Sequence, residues 1–140
     1  MNITLKTEYA LRALQEVITA GDDKPVTRKQ IARIQGISEH FLEKIFIGLQ
    51  KNQIIRSVRG PGGGFLLNRR PEKISLWDIY TAVDDPGFRE DRCYHKNTGS
   101  CEQEKRCRVK YIWFKFSRTL KKTMTAITLT EITKNQQVRK

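Results

Sequence analysis

TRKQIARIQGISEHFLEKIFIGLQKNQIIRSVRGPGGGFLL, residues 27–67, is the stretch that decides the fold. Thr27-Arg-Lys-Gln30 is a capping box, in which hydroxyl and amide satisfy each other's free backbone donors. The helix it opens is expected to carry Ile31 and Ile34 inward and to stop at Gly36. Ser38 caps a second helix, where Leu42, Ile45, Phe46 and Leu49 fall at i, i+3, i+4 and i+7 and make one apolar face. The opposite face presents His40, Glu43, Lys44 and Ile47. Two short helices joined by a glycine turn, the second with a polar outer face, form the helix-turn-helix pattern. Any helical hairpin shares that periodicity, and the segment downstream separates the two. Ile54–Val58 reads as a strand, Arg59-Gly-Pro-Gly-Gly-Gly64 as a turn and Phe65–Leu67 as a returning strand, which together make a wing. The glycines permit positive φ and close backbone approach to another molecule. A nucleotide-binding loop would lead into a helix N-terminus and usually a lysine, whereas Phe65-Leu66-Leu67 continues as strand.

Upstream, a helix is expected from about Thr7 to Thr19, capped by Thr7, with Ala10, Leu14, Val17 and Ile18 at helical spacing. Gly21-Asp-Asp-Lys-Pro25 breaks it. Beyond the wing, Ser75-Leu-Trp-Asp78 is a second capping box, and its helix buries Leu76, Ile79, Tyr80 and Val83 before Asp84-Asp-Pro-Gly87 ends it. A polar loop, 88–108, precedes a long basic helix over about 108–126. Val109, Ile112, Trp113, Phe116, Leu120, Met124 and Ile127 recur along that helix, with Lys110, Lys115, Arg118, Lys121 and Lys122 on the remaining surface. So long a helix, placed after the core is complete, commonly pairs with its copy in a dimer; packing back on its own domain is the alternative. Thr128-Leu-Thr-Glu131 opens a last short helix. The expected fold is mainly α with a small β-wing: a winged helix-turn-helix domain (1–85), a cysteine loop (86–108), a dimerisation helix with a short last helix (108–132), and a tail (133–140).

Composition limits the function. Of 140 residues, 38% are hydrophobic and 30% charged, enough for a core under a solvated surface. No apolar run approaches the roughly 20 residues that span a bilayer. Met1–Leu5 lacks the features of a signal peptide, so a cytoplasmic protein is expected. Net charge is +12, and it is spread evenly: residues 1–70 carry 12 basic and 6 acidic side chains, the rest 15 and 9. A folded body this basic suggests a polyanionic partner, usually nucleic acid. Nothing supports catalysis, since His40 and His95 have no acid–base partners in the pattern.

Cys93-x7-Cys101-x5-Cys107 holds every cysteine of the chain. An odd count clustered in one loop, in a reducing compartment, argues for shared ligation rather than disulfides. Thiolates suit zinc, copper(I) or iron–sulfur clusters. Structural zinc usually takes ligands two to four residues apart, and these wider gaps imply a loop draped around a larger object. Arg92, Lys96, Lys105, Arg106 and Arg108 favour thiolates. Zinc and free redox thiols remain as alternatives.

Several stretches together resemble one family of bacterial regulators. They are Tyr-Ala-Leu-Arg-Ala-Leu (9–14), Gln-Gly-Ile-Ser (35–38), Phe-Leu-Glu-Lys-Ile-Phe (41–46), Ser-Val-Arg-Gly-Pro-Gly-Gly-Gly-Phe-Leu-Leu (57–67) and Ala-Val-Asp (82–84), with Trp113, 127–132 and 135–138 beyond. With these the chain resembles the winged-helix iron–sulfur regulators of the IscR, NsrR and RirA type. The resemblance implies a homodimer on palindromic double-stranded DNA, with the long helices crossing at the interface and a cluster, 2Fe-2S or 4Fe-4S, in the cysteine loop. It implies that Ser38, His40 and Glu43 face the major groove and that Arg59 enters the minor groove. Arg28, Lys29, Lys44 and Gly60 complete the expected DNA-binding set. The family often has a small hydroxyl residue and a tyrosine where this chain has His40 and Phe41, which leaves the base preference open. The IscR type carries a histidine three residues after the third cysteine, and here that position is Lys110. Some relatives use a carboxylate from the first helix of the other protomer, which points to Glu8 as fourth ligand beside Cys93, Cys101 and Cys107. In the first turn of a helix Glu8 also complements the dipole; His95, a small thiol or water are the other choices. The sensed signal (cluster supply, iron, nitric oxide or redox) and the choice between repressor and activator stay open.

Overall fold

The computed structural model describes residues 5–84 and 106–135. Their element order is α1 (Leu5–Ala20), α2 (Arg28–Gln35), α3 (Glu39–Lys51), β1 (Ile55–Val58), β2 (Gly64–Leu67), α4 (Leu76–Val83), α5 (Val109–Ala126) and α6 (Thr130–Asn135). A 3-10 turn, Pro71–Lys73, leads from the wing into α4. The architecture is a helical winged helix-turn-helix domain with a long C-terminal helix, as expected.

The helix boundaries follow local chemistry. Thr27 and Gln30 close their capping box, and Gly36 ends α2 in the left-handed region at φ 64°. The Ser38 hydroxyl accepts from the Phe41 N–H at 3.1 Å. Ser75 and Asp78 form the second reciprocal box. α3 ends less predictably: Asn52 is its C-cap, and Gln53 takes φ 56°. A glutamine there gives no signal in the sequence.

Several expectations needed revision. Thr7 is no cap, because α1 starts at Leu5 and Thr7 is wholly buried in its first turn. Its hydroxyl donates to the carboxylate of Asp84, the C-cap of α4. Ile34 does not point inward; it is 58% exposed, and α2 buries Ile31 alone. An eight-residue helix has room for one core ridge, and Ile31 occupies it. The last helix reaches Asn135, into the segment expected to be tail.

The core joins Ala10, Ala13, Leu14 and Val17 of α1 to Ile31, to Leu42, Ile45, Phe46 and Leu49 of α3, and to Ile79 of α4. Truncating any of the large members to alanine would cost about 2–5 kcal/mol. Leu76 and Val83, expected in the core, are half-buried. α5 packs on α4 through its C-terminal part, where Met124 and Ser117 are buried. The junction with α6 is tied down by Leu76 N–H to the Ile127 carbonyl at 2.8 Å and Leu129 N–H to the Ile74 carbonyl at 3.0 Å. Leu120 is half-buried, and the rest of the apolar stripe of α5 is uncovered: Val109, Ile112, Trp113, Phe116 and Ile127 are all exposed.

One contact is much closer than ordinary helix packing. A Cβ at Gly48 would lie 2.3 Å from the Ala82 carbonyl oxygen, so α3 and α4 meet backbone on backbone.

Candidate nucleic-acid interface and metal site

The wing is a two-stranded antiparallel ribbon in the register Ile55↔Leu67, Arg56↔Leu66, Ser57↔Phe65 and Val58↔Gly64. Its turn closes through Gly63 N–H to the Gly60 carbonyl at 2.9 Å. The ribbon does not hang from the domain by its strands alone. Val26 N–H donates to the Phe65 carbonyl at 3.1 Å, and Phe65 N–H returns to the Val26 carbonyl at 2.9 Å. Gly64 permits this approach, since a Cβ there would stand 2.7 Å from Val26 backbone. On the other side, the Phe65 ring meets Phe46 of α3 edge-on, with centroids 4.7 Å apart. Phe65 therefore fixes the wing against α3 and against the segment that leads into α2. Val26, Phe46 and Gly64 were not among the expected site residues, because their roles depend on pairing across the fold.

This frame brings the expected contact residues onto exposed ground. Lys29, Ser38, His40, Glu43, Lys44, Arg59 and Gly60 are exposed, and Arg28 is half-buried. Arg28 opens α2, whose first turn contains no acidic residue to compete for an anion. The Glu43 carboxylate stands between two neighbours, with Arg28 Nη1 at 3.7 Å and His40 Nδ1 at 4.0 Å. Neither distance is a hydrogen bond, and exposed pairs of this kind contribute little stability. Glu43 can exchange Arg28 for another donor at small cost. The Ser38 oxygen is engaged in its cap, which leaves its proton to donate outward.

The expected metal ligands are placed only in part. Cys93 and Cys101, with His95, lie outside the described residues. Cys107 precedes α5, is half-buried and forms no disulfide among the described residues. Glu8 is exposed, its side chain 62% accessible, with Arg12 Nη1 at 3.9 Å. Its carboxylate is open to solvent. Arg12 extends the connection inward: it donates to Gln35 through the side-chain amide oxygen at 2.9 Å and through the main-chain carbonyl. Gln35 in turn donates to Glu16. α1 is thus bonded to the end of α2, just before the Gly36 turn. Lys110, in place of the histidine, sets its ammonium 5.3 Å from the centre of the Tyr111 ring. Among the described residues no three His, Cys, Asp or Glu side chains form a metal-binding group. The half-exposed thiol of Cys107 is a donor of the right softness for iron or zinc.

Comparison with known proteins gives a consistent answer. The sequence profile of the Rrf2 family, described as "Iron-dependent Transcriptional regulator", matches residues 3–135. The HTH-type transcriptional regulator IscR of Yersinia pseudotuberculosis is 36% identical over 138 residues, which cover 99% of this chain and 82% of that protein. IscR of Xenorhabdus nematophila matches over the same span at the same identity. Among solved structures, T. potens IscR superposes with a TM-score of 0.78 at 26% identity, covering 100% of this chain and 92% of that one. CymR, the global cysteine regulator of B. subtilis, has a similar fold, with a TM-score of 0.75 at 24% identity over 94% and 95% of the two chains.

Proposed function

The chain belongs to the Rrf2 family of transcriptional regulators, and on that basis we propose that it is a homodimer whose hold on a palindromic DNA operator is set by an iron–sulfur cluster. In this reading α3 enters the major groove with Ser38, His40, Glu43 and Lys44. Arg28, Lys29 and Gly60 meet the backbone, and Arg59 enters the adjacent minor groove. The observation that carries the DNA-binding part is the Val26–Phe65 ladder, which holds the N-terminus of α2 and the wing as one body. A preset arrangement lets two separated groups of contacts engage one duplex without first ordering a loop.

Cys93, Cys101 and Cys107 would hold the cluster, with Glu8 of the second protomer as fourth ligand. Such a group, when bound, supplies a centre that reacts with oxidants and nitric oxide. The chain's own part is to present soft thiolates together with one hard, weakly held carboxylate. Exposed Glu8 and half-buried Cys107 are in keeping with a ligand set completed between protomers. The apolar stripe of α5, above all Val109 and Ile112, would form the dimer seam. The second reading is a zinc- or thiol-based regulator of the same fold, for which Cys107 is equally suited.

Anaerobic purification followed by an absorption spectrum and iron and sulfide analysis separates them. Visible charge-transfer bands with matching iron and sulfide are expected. A colourless, zinc-loaded protein would establish the second reading instead.

A further inference from the structure

The outer face of α3 carries one large apolar side chain that the proposed docking leaves without a role. Ile47 is 60% exposed. Around it on that face stand His40, Glu43, Lys44 and Lys51, all exposed and all polar or charged. At about 100° per residue, His40, Ile47 and Lys51 run nearly in line down the centre of the face, opposite the buried ridge of Leu42, Ile45, Phe46 and Leu49. Single exposed isoleucines are ordinary on protein surfaces, so exposure alone decides nothing. Position decides it. A helix surface gains nothing from a β-branched residue where lysine or glutamine forms helix better. Both chain neighbours of Ile47 are also anchored. Phe46 is set edge-on against Phe65, and Gly48 is pressed to the Ala82 backbone. Residue 47 is therefore presented from a fixed stretch of helix.

On the floor of a major groove the one apolar group is the 5-methyl of thymine. We infer that Ile47 packs on a thymine methyl in each half-site and so selects an A·T pair there. This rests on the proposed docking of α3. Glu43 lies one turn earlier, about 6 Å along the axis. The thymine should thus fall about two base pairs, at roughly 3.4 Å each, from the pair that Glu43 faces. Lys51, four residues on at the end of α3, supplies a cation to the phosphates bordering the same groove.

The test removes one methyl at a time. The full-length protein, purified anaerobically, is used to enrich its operator from a random duplex pool. Each thymine of that operator is then replaced by deoxyuridine, and binding is measured for wild type, Ile47→Ala and Ile47→Gln. At one thymine per half-site wild type should lose about fourfold for each methyl, the worth of one buried methyl group. Both variants should lose nothing at that thymine and respond like wild type at the others. The position is an exposed helical one, and unchanged thermal unfolding of either variant verifies the fold. Equal deoxyuridine ratios for wild type and variants at every thymine would overturn the inference while leaving the docking in place. A wild-type protein that enriches no sequence would overturn the docking, and this inference with it.

Discussion

At the scale of single residues, the interface is a set of weakly restrained side chains on a firmly held backbone. Glu43 shows the consequence. Its two neighbours stand at 3.7 and 4.0 Å, so the carboxylate is oriented without being committed. It can accept from a cytosine N4 amine, and Glu43→Ala should shift base preference at one position per half-site by about 1–3 kcal/mol. Competition binding with all four bases at each position would detect this, and an unchanged profile would remove Glu43 from the contact set. Arg59 is proposed for the other class of contact. Its replacement by alanine should weaken binding about tenfold, most of all on narrow A·T-rich minor grooves. Uniform weakening on A·T-rich and G·C-rich flanks alike would instead make it a phosphate contact.

At the scale of elements, what the sequence disclosed and what it concealed divide along a physical line. Thr27, Ser38 and Ser75 cap their helices as read, because a cap is satisfied within four residues of its own chain. The wing was legible for the same reason, through its strand–glycine–strand order. Thr7 was misread as a cap, since its true partner, Asp84, lies 77 residues away. Ile34 looked buried from periodicity, yet its side of α2 stays open to solvent among the described residues. Of the proposed contact residues, the exposure of His40, Glu43 and Lys44 followed from the outer face of α3, whereas Val26, Phe46 and Gly64 emerge only once the wing is folded back. Gly48 was likewise silent: a glycine mid-helix reads as a weakness until α4 is seen lying on it. Gly48→Ala should therefore destabilise the domain by about 1–3 kcal/mol, through overpacking rather than helix propensity, which favours alanine. Urea unfolding measures it; a variant as stable as wild type would mean that the two helices part easily.

At the scale of the whole molecule, charge and an uncovered helix set the behaviour. With a net charge of +12, affinity for DNA should fall steeply as salt rises, in proportion to the phosphates engaged. The long helix leaves Ile112 68% exposed. Ile112→Asp should place a charge in the proposed seam and yield a monomer by analytical ultracentrifugation, with affinity for a full palindrome reduced to that for a half-site. A variant still dimeric would move the seam elsewhere. Replacing any one of Cys93, Cys101 or Cys107 by serine should abolish or strongly reduce visible absorption without dissociating the dimer. Retained colour would show that the thiolate concerned is no ligand. The meeting of Gly48 with Ala82 has a mechanical meaning at this scale. Side chains between packed helices act as a compliant cushion, since they change rotamer and absorb small shifts. Here that cushion is missing, and bare peptide bears on bare peptide two residues before Asp84. A strut of this kind has almost no play. A tilt at the end of α4, next in sequence to the cysteine segment, would pass undamped into the helix proposed to read DNA, whereas a single methyl added at the bearing would reset the angle at which that helix rests.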